Sequence, residues 1–489
     1  MLFNSHIFIL LFLPLLLAGW YFLNWKKKFQ LAQGYLIGMS LWFYAYANLQ
    51  YLWLLLFSCL IGWLLSCVPE KISSEKGKKV LTGVGCVFHL GLLGYFKYSN
   101  FFLENLNTVF HTDFPMLQIL LPVGISFYTF QQLAYLIDRC RGDAPRDSFF
   151  DYLTFMVYFP QLLQGPILLR SEFMEQLKEP ERRRFHAERF SEGIQFFVFG
   201  LAKKVLLADT LAKAVNYGYS NVSMLDSISA LLLAVGYLTE LYFDFSGYCD
   251  MAVGLGKMIG LEVAENFDAP FHSASVKEFW RRWHMTLGRF FTRYVYIPLG
   301  GNRRGKMRTL CNVMIVMLLS GLWHGAAWTF VLWGFLHGVG MIWDNLEHPH
   351  LPKKWMRQAA TFAYVCMTFV FFRAESIAQG VDVLKSIVSL KWNGFVFQMA
   401  SALDLTEFYM ITKALSMKLP GLLSWFWLGI FVVLIAICFR VLSGEKVSGV
   451  VALQRQKGYG RLYPVLLAVL FTWSMISMTG VSEYLYFSF

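Results

Sequence analysis

Apolar runs close to the 20 residues that cross a bilayer, punctuated by short clusters of Lys and Arg, set the rhythm of this chain. The first run begins at Ile7 and ends at Lys26, Lys27 and Lys28. The second is predicted to end at an uncharged turn near Ala47-Asn48-Leu49-Gln50, and the third returns to Lys71, Lys76, Lys78 and Lys79. A fourth leads to a loop with Glu104 and Asp113, and a fifth ends at Arg139, Arg141 and Arg146. Basic loops stay in the cytoplasm, so the N-terminus is expected outside and these crossings obey one rule.

Residues 149–169 break the rhythm. The run is interrupted by Pro160, Gly165 and Pro166 and has basic residues on both flanks. A re-entrant or broken helix satisfies both flanks, because irregular backbone is tolerated at depth only where protein buries it or it lines a cavity. Toward the other end, Arg440, Lys446, Arg455, Lys457 and Arg461 mark an inside loop, and a last span over about residues 463–480 places the C-terminus outside. Termini on one side require an even number, so the pattern predicts an all-α polytopic membrane protein. We expect about ten full crossings plus re-entrant or interfacial helices. There is no internal repeat and no soluble domain, so we expect one integral-membrane domain: N-terminal helices (1–148), a core (149–350), and C-terminal helices with an outward tail (351–489).

Composition agrees with this reading. The chain is 57% hydrophobic and 15% charged, against about 25% charged in soluble domains. The net charge of +12 sits in short clusters between apolar runs, which is the pattern of cytoplasmic loops and argues against nucleic acid as a partner. The eight cysteines include no C-x-x-C pair and read as small buried hydrophobes. The N-terminus lacks a basic region before its apolar run, so that run reads as a retained span.

From Thr309 to Trp343 there is no Asp, Glu, Lys or Arg, yet His324 lies near the middle, in Gly321-Leu322-Trp323-His324-Gly325. A titratable group at such a place is a functional-site hypothesis by default. A neutral imidazole can take a proton from a hydroxyl as that oxygen attacks a carbonyl. The alternative is a packed histidine bonded to a neighbouring helix. Glycines at 321, 325, 334 and 338 would let helices approach closely around it. His337 lies nearer the end of the stretch, where a polar contact at the interface is expected.

His284 ends Phe279-Trp280-Arg281-Arg282-Trp283-His284 and precedes Tyr294-Val295-Tyr296-Ile297-Pro298-Leu299-Gly300-Gly301-Asn302-Arg303-Arg304. This block is either an interfacial helix with snorkelling arginines or an imidazole serving an acyl donor whose head carries phosphates. Gly254, Gly256 and Gly260 have the wrong spacing for a dinucleotide loop and read as helix packing. His348 and His350 flank Pro349 with no Cys or carboxylate at ligand spacing, so no metal is expected. No Gly-x-Ser-x-Gly element is present.

Taken together, the motifs resemble the membrane-bound O-acyltransferase family, in particular its bacterial branch with the alginate O-acetylation membrane protein. The resemblance runs along nearly the whole chain. It is carried by residues 121–130 (Leu121-Pro122-Val123-Gly124 onward), Phe159-Pro160-Gln161-Leu162 with Gly165-Pro166-Ile167, and Tyr242-Phe243-Asp244-Phe245-Ser246-Gly247-Tyr248. Glu265-Asn266-Phe267, the His284 block, residues 297–303 and the His324 block complete it. The resemblance implies helices around a central tunnel, His324 as the catalytic histidine within it and His284 as a second active-site histidine. It implies transfer of an acyl group, most simply acetyl, from a cytoplasmic thioester donor such as acetyl-CoA or an acyl carrier, with no permanently bound cofactor. The acceptor would be an extracytoplasmic polysaccharide or peptidoglycan, reached with a partner acyltransferase outside the bacterial cytoplasmic membrane.

Under that resemblance Arg281, Arg282, Arg303, Arg304 and Arg308 are candidates for donor phosphates, although ordinary basic flanks explain them equally well. The aromatic ending from Tyr484 to Phe489 is either an interfacial anchor or a tail tucked toward the outer tunnel mouth, with Tyr486 offering a phenol to the acyl group or orienting the acceptor. Where some members carry Asp before Tyr294, this chain has Arg293. D-alanyl transfer to teichoic acids is the alternative within the family. Outside it stand a proton-coupled transporter or flippase, for which no inverted repeat is found, and a noncatalytic scaffold, which leaves both histidines unexplained.

Overall fold

The computed structural model describes residues 1–346, 353–442, 446–458, 460–478 and 484–485. Among these residues the secondary structure is helical, with no strand. A helix satisfies its own backbone groups, which is what hydrocarbon demands. Among the described residues, six helical segments are long and apolar enough to cross a bilayer. They are Phe8–Trp25 (α1), Leu49–Lys71, which continues the helix Phe29–Ser66 (α2), Glu75–Phe110 (α3), Ser227–Ile259 (α4), Lys306–His324 (α5) and Pro420–Leu442.

α2 carries the stretch where the sequence predicts a turn, near Ala47–Gln50, and is helical on both sides of it. The run is nevertheless not straight. The Gln33 amide donates to Asp151 at 2.9 Å and the Trp63 indole donates to the Asp147 carbonyl at 3.2 Å. On a straight helix these two side chains would start about 45 Å apart, whereas the chain from Asp147 to Asp151 spans at most about 15 Å. α2 therefore doubles back and supplies two antiparallel arms. Glu104, expected in a loop, lies on α3 instead, which is continued by a π-turn at Gly94–Tyr98.

Residues 149–169 form the broken helix that their prolines and glycine predict. Helix Phe149–Val157 and a turn at Phe159–Leu162 give way to extended chain. A Cβ on Gly165 would meet the Pro160 carbonyl and the Gln161 Cα, so the sharp return depends on glycine. Tyr158, Phe159, Leu162, Leu163 and Leu168 are buried. Protein, rather than lipid, covers the irregular backbone.

α4 is the central element. Asp226 and Ser229 form a capping box at its start, and Gly260 ends it with φ +86°. Burial alone would raise the Asp226 carboxyl, but hydrogen bonds from Ser229, Asn393 and Gly394 outweigh it and hold the group below the usual carboxylate range. Helix Ala187–Ala202 packs against α4 through Gly193 on Gly254 and Gly200 on Gly247. A Cβ at any of these positions would meet backbone oxygen at 2.5–2.7 Å, so the glycines set the separation, as the packing reading expects. Two carboxylates of α4 meet lysines of the neighbouring segment: Lys203 lies 2.6 Å from Asp250, and Lys204 lies 2.6 Å from Asp244 and also 2.7 Å from Asp209, outside α4.

Candidate active site

α5 runs into its neighbour Trp328–Leu346 (α6) through a tight connection. A Cβ on Gly334 would stand 2.5 Å from the Met317 carbonyl oxygen, and one on Gly321 would meet the Phe330 carbonyl. Any side chain on Gly325 would enter the Phe330 ring. Small residues therefore allow α5 to end at His324 with α6 pressed against it.

The buried His324 ring sits in an aromatic cage. Trp323 lies 4.9 Å away and Trp333 of α6 5.1 Å away, and Phe372 of helix Lys354–Arg373 (α7) also lies at 5.1 Å. The last carbonyls of α5 are held from α3. Lys97 Nζ donates to the Trp323 and His324 carbonyls at 2.8 Å each, and the Tyr98 hydroxyl donates to the Leu322 carbonyl.

His284 occupies the break between helices Val276–Arg282 and Met285–Phe291 with φ +45° and ψ +51°. A left-handed, non-glycine residue costs on the order of 1–3 kcal/mol, and such strain clusters at working sites. Asn266 fixes the ring. Its Oδ1 accepts from the Thr286 backbone N–H at 3.1 Å and the Thr286 hydroxyl at 3.0 Å. An amide oxygen so identified can only accept, so His284 Nδ1, 3.2 Å away, is the donor. In the neutral ring Nε2 then carries the lone pair. The Trp323 indole contacts both imidazoles, 6.0 Å from His284 and 4.9 Å from His324, so the structure brings the two sequence-predicted histidines to one aromatic cluster.

His337, expected at an interface, is fully buried. Trp280 Nε1 donates to its Nδ1 at 3.2 Å, and its Nε2 lies 2.9 Å from the Thr368 hydroxyl. The sequence-distant Trp280 and Thr368 account for this burial.

Cavities approach the histidines from separate sides. A small one of about 50 Å³ is lined by Lys97, Gly124, Ser126, Leu163, Trp323 and His324. A cleft of about 740 Å³ carries Lys204, Asp209, Glu240, Asp244 and Arg373 and shares Phe330 and Phe372 with the surroundings of His324. A third, about 830 Å³ and mainly apolar, reaches Asn266 and carries Lys203, Arg440 and Lys446.

The arginines sit elsewhere. Arg281, Arg303, Arg304 and Arg308 are exposed, and Arg282 pairs with Glu278 at 2.9 Å. None of the five lines these three cavities. Arg293 ties Asp138 and Asp143 together at 3.0 and 3.1 Å, which gives this departure a structural role. Tyr486 lies outside the described residues. Tyr484 is buried 5.1 Å from Tyr248, with Lys204 Nζ 4.6 Å from its ring centre, and the Leu485 N–H donates to Asp244 at 3.1 Å. Sequence reasoning missed Lys97, although it is the one Asp, Glu, Lys or Arg between Lys79 and Glu104 and the rule that singles out His324 would have found it. No local signal pointed to the role of Asn266.

The structure thus places two buried imidazoles of a helical membrane protein in one aromatic cluster flanked by cavities. The chain belongs to the membrane-bound O-acyltransferase family, whose family model matches residues 141–375; it is an O-acyltransferase. Among its relatives, a peptidoglycan O-acetyltransferase of Helicobacter pylori is 36% identical over 80% of this chain and 80% of the relative. A probable alginate O-acetylase of Azotobacter vinelandii is 39% identical over 77% of this chain and 76% of the relative. A teichoic acid D-alanyltransferase of Bacillus subtilis is 28% identical over 52% of this chain and 69% of the relative.

Proposed function

We propose that this protein moves acetyl groups from a cytoplasmic thioester, acetyl-CoA or an acyl carrier, to a hydroxyl of an extracytoplasmic polysaccharide or peptidoglycan. The burial of His324 beside His284, with the His284 tautomer fixed by Asn266, carries this reading. The His324 imidazole takes the proton of the acceptor hydroxyl as its oxygen bonds to the thioester carbonyl carbon. The tetrahedral intermediate then collapses, the C–S bond breaks, and the thiolate leaves with the proton from the imidazolium. His284, its ring held by Asn266 and sharing Trp323 with His324, forms the neighbouring wall of the reacting site. Surroundings that exclude bulk water limit hydrolysis of the donor.

The chain works as one domain with its core at 149–350, in the bacterial cytoplasmic membrane. About ten crossings place both termini outside, with shorter apolar helices such as Leu462–Ser477 supplementing the six long ones. The cleft that carries Arg440 and Lys446 receives the donor, and Arg281, Arg282, Arg303 and Arg304 form a peripheral basic surface for its phosphates. Tyr486 is the candidate to offer a phenol to the acetyl group or to orient the acceptor. A partner acyltransferase outside brings the glycan hydroxyl to the site. The names of the acetylating relatives support this acceptor class.

The test is reconstitution in sealed vesicles with labelled acetyl-CoA on the cytoplasmic side and the glycan and partner on the other. Wild type should label the acceptor, and a folded His324→Ala variant should not. Full labelling by that variant would overturn the mechanism.

A further inference from the structure

We infer that Lys97 and Tyr98 form a clamp that positions His324 for proton transfer. The inference rests on His324 being the base. It begins with Lys97, an ionisable residue flanked by the apolar segments of α3. Holding an ammonium group there is costly, and such residues mark function by default. Its Nζ reaches the carbonyls of Trp323 and His324 at 2.8 Å each. These belong to the last turn of α5, whose carbonyls have no acceptor role within the helix and carry the negative end of its dipole. An ammonium with three donors suits two adjacent carbonyls and the field between them.

Tyr98 extends the grip to the preceding carbonyl, that of Leu322. In a regular helix neighbouring residues point about 100° apart. Here they lie in the π-turn Gly94–Tyr98, a wide turn frequent at functional sites, and both reach the same end of α5. Three successive carbonyls that end on His324 are thus fixed by two successive residues of another span. The site is also where precision matters, since Lys97 and His324 share the walls of the 50 Å³ cavity with Gly124, Ser126 and Leu163. Both clamp residues precede the stretch matched by the family model, 141–375.

Lys97 acts through the backbone of His324, so it is a positioning residue, and its loss should slow the chemical step without weakening donor binding. The experiment compares Lys97→Met, Lys97→Arg, Tyr98→Phe and His324→Ala in the reconstituted full chain with labelled acetyl-CoA. Lys97→Met keeps the length and removes the donors. Its kcat should fall about tenfold or more, the scale of a small misplacement of a catalytic group, while the donor KM stays unchanged. Lys97→Arg, whose guanidinium can donate to both carbonyls, should recover most of the rate. Tyr98→Phe should give a smaller fall in kcat at an unchanged melting temperature, and it carries the test if Lys97→Met does not fold.

Wild-type kcat in folded Lys97→Met, a loss confined to KM, or wild-type kcat in Tyr98→Phe where Lys97→Met does not fold would each overturn the clamp. The His324→Ala arm separates the two claims. An inactive His324→Ala beside a fully active Lys97→Met removes the clamp alone. Full transfer by His324→Ala removes the reading on which the clamp rests.

Discussion

Two buried histidines on adjacent helices, His324 ending α5 and His337 inside α6, share the Trp333 ring, which lies 5.1 Å from one and 4.8 Å from the other. Their surroundings teach different lessons. His337 receives a hydrogen bond from Trp280 and pairs with Thr368, whose hydroxyl passes its proton on to the Val365 carbonyl at 2.8 Å. Those fixed partners define a packing histidine. His324 instead lines a cavity, is held by its backbone from α3, and shares Trp323 with a second imidazole of defined tautomer. Burial and an uncharged run are common to both histidines. Side-chain partners at both ring nitrogens surround His337, whereas a cavity wall and a second imidazole set the surroundings of His324.

The contrast can be broken most sharply at His324. His324→Gln should lower the acyl-transfer rate by about 10²- to 10⁴-fold, the usual worth of a general base, in a rapid-quench assay. Asn266→Leu should slow transfer about tenfold, the lower end of the loss caused by removing the outer hydrogen-bond partner of a metal-bound imidazole, because His284 can then take either tautomer. His337→Leu should leave transfer per folded molecule unchanged but lower stability by about 1–3 kcal/mol, by stranding the Trp280 donor and removing the N–H that the Thr368 hydroxyl accepts, measured by denaturant unfolding in mild detergent. A large rate loss there would erase the distinction.

The smallest effect belongs to Asp226, far from either ring in the chain. Its folded-state carboxyl titrates below the usual range, so its contribution is present above the unfolded value and is lost as pH falls through the folded one. Asp226→Ala should cost about 1 kcal/mol at neutral pH, and the deficit should shrink on acidification. A deficit that stayed constant with pH would contradict the capping account.

Much of this contrast was legible in the chain and part was not. Charge rhythm and apolar length predicted the helical, membrane-spanning class, and Pro160, Gly165 and Pro166 marked the broken helix because such residues act locally. His324 was visible because an uncharged run makes a titratable group conspicuous. His337 was misplaced because its partners, Trp280 and Thr368, come from other helices and position within an apolar run says nothing of them. The exposed Arg281, Arg303 and Arg304 illustrate the same limit, since a basic cluster reads alike whether it guards a loop or lines a cleft. The reversal within α2 was, by contrast, expected from the uncharged stretch near Ala47–Gln50, although no glycine or proline marks a turn there.

The account turns on His324 being the base and His337 a packing residue. The most direct measurement is the single-turnover acetyl-transfer rate, per folded molecule, of His324→Ala and His337→Leu prepared side by side with wild type. The account predicts loss of transfer in the first and the wild-type rate in the second. Wild-type transfer by His324→Ala, or equal losses in both, would contradict it.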